Sequence, residues 1–330
     1  MHMGHRPGVT CWEQCLVRVN SNGGGSDMAP PILIAGQSGQ VAFALGAGAP
    51  SRGLTVRQFD RPVLDFDRPA SIATVFAATA PSLVINAAAY TAVDAAEDDA
   101  DAAFRANRDG PAELSRLCEA AGIPLIHIST DYVYDGLKGA PYVESDPTSP
   151  QGVYGASKLA GDRAVLAGCS RAIVLRTSWI YSPTGNNFVR TMLSAAQRTD
   201  RLRVVADQKG CPTSAPDLAE AILRIAARIA TDGWQDRFAG LYHAAGTGWT
   251  TWHDLAVATF QEARRHGGPV PTVDPITTGE WPTRAQRPPD SRLDCGRLEA
   301  MFGLRLPAWR DGLARTIDAV FATESASAGS

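Results

Sequence analysis

From Pro31 onward, short apolar runs alternate with alanine-rich stretches of helical spacing. Ile32–Ala35, Leu54–Phe59, Leu83–Asn86, Ile123–Ile128 and Ala172–Arg176 read as strands. Ser71–Thr79, Ala102–Ala121 and Tyr154–Leu166 read as the helices between them. Strands that alternate with helices pair in parallel, because each crossover must return over a face of the sheet. Both faces are then covered, which suits strands that are apolar throughout rather than at every second position. The pattern predicts an α/β fold built on a doubly wound parallel sheet.

Beyond Ser178 the rhythm loosens. Helical spacing recurs at Phe188–Gln197, Pro216–Ile229, Trp252–Arg265, Leu298–Phe302 and Trp309–Phe321. Proline and glycine accumulate between these stretches, notably in Pro269–Pro275 and at Arg287-Pro288-Pro289. The expected organisation is a nucleotide-binding domain over 30–177 and a smaller mixed α/β substrate lobe over 178–330. Pro216–His243, helix then strand, has the form of a unit that rejoins the sheet at about 215–244. Residues 1–29 are polar, carry Gly23-Gly24-Gly25 and lack the apolar core of a secretory signal, so they read as a disordered leader. Thr323–Ser330 reads as a frayed tail.

Composition narrows the function classes. The chain has 330 residues, 45% hydrophobic and 20% charged, with a formal charge of −3 and no Lys/Arg-rich run. A broad basic face for nucleic acid is not expected, and no apolar stretch is long enough to span a membrane. Cys11, Cys15, Cys118, Cys169, Cys211 and Cys295 are scattered without zinc-ligand spacing. They read as reduced thiols of a cytoplasmic protein with no metal site.

The first strand runs into Gly36-Gln37-Ser38-Gly39-Gln40-Val41-Ala42. A glycine-punctuated turn between strand and helix lets backbone amides approach a pyrophosphate, and the helix presents its positive end to that charge. The spacing is GxxGxxA, with Ala42 where a third glycine would stand. After the second strand come Asp60 and Arg61. The carboxylate suits a free ribose 2′-hydroxyl, as in NADH, and the cation suits a 2′-phosphate, as in NADPH. Both cofactors stay open on these residues.

The most informative segment is Tyr154-Gly155-Ala156-Ser157-Lys158. Residues four apart share a helix face. A lysine cation there is expected to stabilise tyrosinate and lower the phenol's pKa, so that Tyr154 can deliver a proton to a carbonyl oxygen as hydride reaches the carbon. Ser129-Thr130-Asp131-Tyr132 ends an apolar strand, at the carboxyl edge where ligands bind in open α/β sheets. The Thr130 hydroxyl could polarise the same carbonyl or simply cap a turn.

Together, the glycine turn, Asn86-Ala87-Ala88-Ala89, the run from Ser129 to Asp135 and the YxxxK pair resemble the extended short-chain dehydrogenase/reductases, whose sheet is of the Rossmann type. Later segments narrow the resemblance to the dTDP-4-dehydrorhamnose reductase family. These are Arg176–Tyr181, Gly185–Phe188, Asp207–Thr213 and Arg287–Leu293. The resemblance covers Ile32 to Phe321 and implies reduction of the C4 ketone of dTDP-4-dehydro-L-rhamnose by NADPH or NADH, with Thr130, Tyr154 and Lys158 as catalytic residues. It implies cofactor contacts from Gly36, Ser38, Gly39, Gln40, Val41, Asp60, Arg61, Asp65, Ala87, Ala88 and Tyr90, and from Tyr154 and Lys158. Thr91, Val93, Thr130, Tyr132 and Trp179 would face the sugar, and Asn187, Thr213 and Arg287 the substrate diphosphate. Trp179 could equally be core packing, and Arg287 could pin a proline-rich loop.

Two departures stand out. Ala44 lies where some members carry a glutamate implicated in a magnesium-bridged dimer, so a monomer or weak homodimer is expected. Tyr134 stands where phenylalanine is common and is expected at a partly exposed site. Another nucleotide-sugar 4-ketoreductase or epimerase, or a non-catalytic regulatory subunit of the same fold, would share most of these features.

Overall fold

A computed structural model describes residues 29–328. The expected leader falls outside the described residues, except Ala29, which is exposed. Five parallel strands, β1 (Ile32–Ala35), β2 (Val56–Phe59), β3 (Leu83–Asn86), β4 (Leu125–Thr130) and β5 (Ala172–Thr177), form most of the central sheet. A sixth, Gly240–His243, pairs in parallel with β5 at the edge. The spatial order is Gly240–His243, β5, β4, β3, β1, β2. The order reverses between β1 and β3, and that is where a crevice opens above the carboxyl ends of the strands.

Successive strand residues face opposite sides, and both sides are covered. Ile32, Ile34, Ile85, Ile126, Ile173 and Leu175 pack with Val41 and Leu45 of helix α1 (Gln40–Gly48) and with Leu218, Ile222 and Ile225 of the helix Ala215–Asp232. Leu33, Ala35, Val84, Leu125 and Val174 pack on the other side against Ile72, Val75, Leu114 and Val165. Each fully buried aliphatic side chain contributes on the order of 1.5–3 kcal/mol, so two closed faces fix the sheet firmly. The lobe has its own core of Tyr181, Val189, Leu193, Leu255, Phe260, Trp309, Leu313 and Ile317. A parallel pair, Arg201–Val205 with Thr272–Ile276, lies beside it.

Two elements differ from the sequence expectation. The helix expected over Ala102–Ala121 is broken by a π turn at Arg105–Asp109. Pro111 lacks the N–H that would bond back to the carbonyl of Asn107, so the ladder widens there. The last helix, Trp309–Ala328, runs through most of the segment expected to be a frayed tail. Among the described residues, no helix is long and apolar enough to cross a membrane.

Candidate active site

The crevice is a cavity of about 1100 Å³ that runs from the glycine turn to the lobe. Gly36, Ser38, Gly39, Gln40 and Val41 line one end, together with Asp60, Arg61 and Asp65. Helix α1 starts from Gly39 with no side-chain cap and no acid in its first turn. Its leading amides are therefore available to an anion, as a pyrophosphate cradle requires. Asp60 is committed to this turn: its two oxygens accept from the amides of Gln37 and Ser38, each at 2.7 Å. Burial would raise the Asp60 carboxyl, but the Ser38 hydroxyl, both amides and the Arg61 cation outweigh it and hold it below its ordinary value. Arg61 is 75% exposed, with only a 3.6 Å approach to Asp67. Asp65 accepts from Arg68 Nε at 3.0 Å.

The middle of the cavity belongs to Ala87 and Ala88 after β3, Thr130 at the end of β4, and Tyr154 and Lys158 on the helix Val153–Gly168. This helix begins at Gly152, which has no capping side chain, and Glu97 supplies the acceptor instead, with Oε1 2.8 Å from the Val153 amide. A Cβ on Gly155 would sit 2.2 Å from the Tyr132 carbonyl oxygen, so only glycine lets the helix press against the turn that follows β4. That approach stands the Tyr132 and Tyr154 rings edge to face, 5.7 Å apart.

Thr130 both caps a turn and faces the cavity. Its Oγ1 caps the Asp131–Val133 turn, accepting from the Tyr132 amide at 3.2 Å, and the residue also lines the cavity. The hydroxyl donates to Asp131 Oδ1 at 3.2 Å. Asp131 is buried, and its carboxyl is pushed up to about 6 by that burial, against hydrogen bonds from Ser291, Ser178 and Thr130.

Lys158 is almost wholly buried and its Nζ donates to the Ile128 carbonyl at 2.7 Å. Burial brings its ammonium down to about 8, with Asp162 opposing. The expected lowering of the Tyr154 phenol is not found. Burial pushes it up to about 12, and the hydrogen bond with Thr130 offsets only part of that. The reason is desolvation, which disfavours a phenolate more than the nearby groups favour it. A phenol kept protonated is the form a proton donor needs.

On the lobe side, Thr91, Val93, Tyr132, Trp179 and Arg287 line the cavity. Trp179 sits in the left-handed region at φ 45° and stacks flat on Trp252, centroids 3.5 Å apart and planes 7° apart. Gly210 supplies the other side, since a Cβ there would meet the indole at 2.3 Å. Arg287 is held by Asp94, Nη2 to Oδ2 at 2.8 Å.

Three residues expected at the ligand, Asn187, Thr213 and Tyr90, are not among those that line the cavity. Asn187 caps the helix Phe188–Ala196 through Oδ1, and its Nδ2 is spent on Gln40 Oε1 and the Ser182 carbonyl, each at 3.0 Å. Thr213 is fully buried, with Oγ1 donating to the Cys211 carbonyl and accepting from the Gly246 amide. Tyr90 is held by its backbone on Asn107 of the π turn. Tyr134 is also corrected: it is fully buried, its hydroxyl 2.7 Å from His243 Nε2 and accepting from Arg176 Nη1 at 2.8 Å. Sequence reasoning missed Glu97, Trp252 and Asp162. Only Asp162 left a signal, one further turn along the Tyr154–Lys158 face.

The comparisons agree with this geometry. Residues 30–321 match the family model described as RmlD substrate binding domain. A relative named dTDP-4-dehydrorhamnose reductase from Sinorhizobium fredii is 42% identical over 87% of this chain and 96% of its own. The chain belongs to the dTDP-4-dehydrorhamnose reductase family. The Escherichia coli K12 protein of that name is 37% identical over 88% of this chain and 98% of its own. A solved dTDP-4-dehydrorhamnose reductase from Bacillus anthracis, in complex with NADP, superposes with a TM-score of 0.81 at 32% identity, covering 88% of this chain and 99% of that one. The family is one of nicotinamide-dependent oxidoreductases on a Rossmann-type sheet, and this chain has that sheet and its crevice.

Proposed function

We propose that this chain reduces the C4 ketone of dTDP-4-dehydro-L-rhamnose to dTDP-L-rhamnose, with Tyr154 as proton donor. The observation that carries the reading is the convergence of Thr130, Tyr154 and Lys158 on one wall of a cavity whose far end is the glycine turn. A reduced nicotinamide dinucleotide, when bound, supplies the hydride. The uncapped amides of α1 and the Ala87–Ala88 segment would hold it, and Lys158 would hold the nicotinamide ribose. Asp60 is occupied by the turn while Arg61 is exposed beside it, which favours a 2′-phosphate and hence NADPH. The relative solved with NADP supports the same choice.

Tyr154 delivers its proton to the C4 oxygen from a neutral phenol, and Thr130 orients that oxygen by hydrogen bonding. Such positioning lowers the barrier without further chemistry. Thr91, Val93, Tyr132 and Trp179 form the sugar site, and Arg287 is the cation for the diphosphate.

The test is oxidation of NADPH and NADH, in parallel, by freshly generated dTDP-4-dehydro-L-rhamnose, with the product's C4 configuration read by NMR. Oxidation giving dTDP-L-rhamnose is expected. No oxidation with either cofactor would overturn the reading in favour of a non-catalytic subunit. The opposite C4 epimer would overturn the assigned product.

A further inference from the structure

Beneath the catalytic pair lies a layer of buried ionisable groups that the reaction, as described, leaves without a task. Asp162 follows Lys158 by one helical turn, completing a Tyr154–Lys158–Asp162 stripe, and is 1% exposed. Its Oδ2 accepts from Arg176 Nε at 2.9 Å. Its Oδ1 has no hydrogen-bond partner and lies 4.0 Å from His127 Nε2, which also has none.

The surroundings fix the protonation of His127. Asn86 Oδ1 accepts from the Ala88 amide at 3.1 Å, so its Nδ2 is the atom that faces His127 Nδ1 at 2.9 Å. Nδ1 therefore accepts, and the ring proton sits on Nε2, the atom 4.0 Å from Asp162 Oδ1. Burial and the Lys158 charge hold His127 well below its ordinary value, so the ring is neutral.

The charges that bear on Lys158 are Asp162 on its own helix and, from β4, neutral His127; Arg176 of β5 is bound to Asp162, and Asp131 of the turn after β4 bears on Tyr154. Lys158 and Arg176 are two buried cations in this layer, and the carboxylate paired with Arg176 is Asp162. An ammonium removed from water keeps its charge only when a counter-charge stands close by.

We propose that Asp162 is a positioning residue for the reduction: its carboxylate, paired with Arg176 and one helical turn from Lys158, keeps the buried lysine in its charged form. Arg176 in turn opposes the burial that pushes the Asp162 carboxyl up. The inference rests on the proposed reductase reading for its consequence, because a protonated Lys158 is what holds the ribose and Tyr154 in place. Activity should therefore fall as pH rises through the Lys158 titration.

The chain contains only three lysines, Lys138, Lys158 and Lys209, so NMR of protein carrying ¹³Cε-labelled lysine follows Lys158 directly and independently of turnover. Asp162→Asn should lower the Lys158 titration midpoint by about one unit or more, and the alkaline limb of kcat/KM should move with it. Asp162→Glu should restore both towards wild type. A merely structural role would depress activity in Asp162→Asn without moving either midpoint. An unmoved titration in folded Asp162→Asn, or a midpoint that Asp162→Glu does not bring back, would overturn the proposal. If circular dichroism shows that Asp162→Asn does not fold, Asp162→Ser takes its place and is read in the same way. Failure of the reductase reading would look different: wild-type protein would oxidise no NAD(P)H, while the lysine titration would still report on the ion pair.

Discussion

Asp94 holds Arg287 across 193 residues of sequence, its Oδ2 2.8 Å from the guanidinium Nη2 and its Oδ1 also accepting from the Ala285 amide. The pair fastens the 285–287 segment to the helix Val93–Ala96, and so closes the lobe against the nucleotide-binding half at the cavity's rim. An anionic substrate entering the cavity meets an arginine already held in place by a carboxylate.

Arg287→Ala should therefore act on binding. A charge-assisted hydrogen bond contributes about 1.5–3 kcal/mol, so KM for the nucleotide sugar should rise roughly ten- to a hundredfold with kcat little changed. Asp94→Asn should cost less than about 1 kcal/mol in urea unfolding, since the pair is partly exposed. A large fall in kcat with unchanged KM for Arg287→Ala would remove the residue from the substrate site.

Tyr154→Phe keeps the ring and its edge-to-face contact with Tyr132 but removes the proton. Turnover should fall by about a hundred- to ten-thousandfold, while NADPH binding, followed by fluorescence titration, persists. Activity near wild type would exclude Tyr154 as the acid.

Gly210→Ala places a methyl group against the Trp179 indole, which is backed by Trp252 and has little room to retreat. Overpacking of this kind costs about 1–3 kcal/mol. We expect that loss in urea unfolding, with altered tryptophan fluorescence and a weakened affinity for the nucleotide sugar. Unchanged stability and spectrum would mean that the stacked pair is more mobile than its geometry implies.

Stability should fall on the acid side through His243. Its Nδ1 faces the Asp294 carbonyl and therefore carries the proton, while Nε2 accepts from Tyr134. Burial, and then the Arg176 charge, bring it down to about 4. The unfolded chain takes up this proton near pH 6.5, but the folded chain does not until pH approaches 4. Stability is thus complete above the unfolded value and is lost as pH falls between the two, by about 3 kcal/mol at most. His243→Gln should flatten part of the thermal-unfolding slope over pH 6.5 to 4, with neutral His127 retaining the rest. An unaltered slope would show that His243 does not carry it.

Most strands were legible because they are apolar runs, and β1 and β3 were read to the residue, whereas β2, with Arg57 and Gln58 at its centre, begins two residues later than expected. The π turn at Arg105–Asp109 was not, since Pro111 interrupts a pattern whose spacing otherwise reads as one helix. The YxxxK pair was legible for the same reason as the helix that carries it: a spacing of four is a statement about one face. For Thr213 and Asn187 the sequence could not show that the hydroxyl and the amide have partners within the protein, because such bonds join segments far apart in the chain.

The sequence alone determined the order of strands and helices, the glycine turn and the shared face of Tyr154 and Lys158, all of which depend on local periodicity. Only the tertiary structure decided that burial pushes the Tyr154 phenol up, that Tyr134 is buried on Arg176 and His243, and that Asp162 is buried against Arg176. Protonation and charge depend on how much water is excluded and on which distant groups approach, and both are properties of packing between segments far apart in the chain.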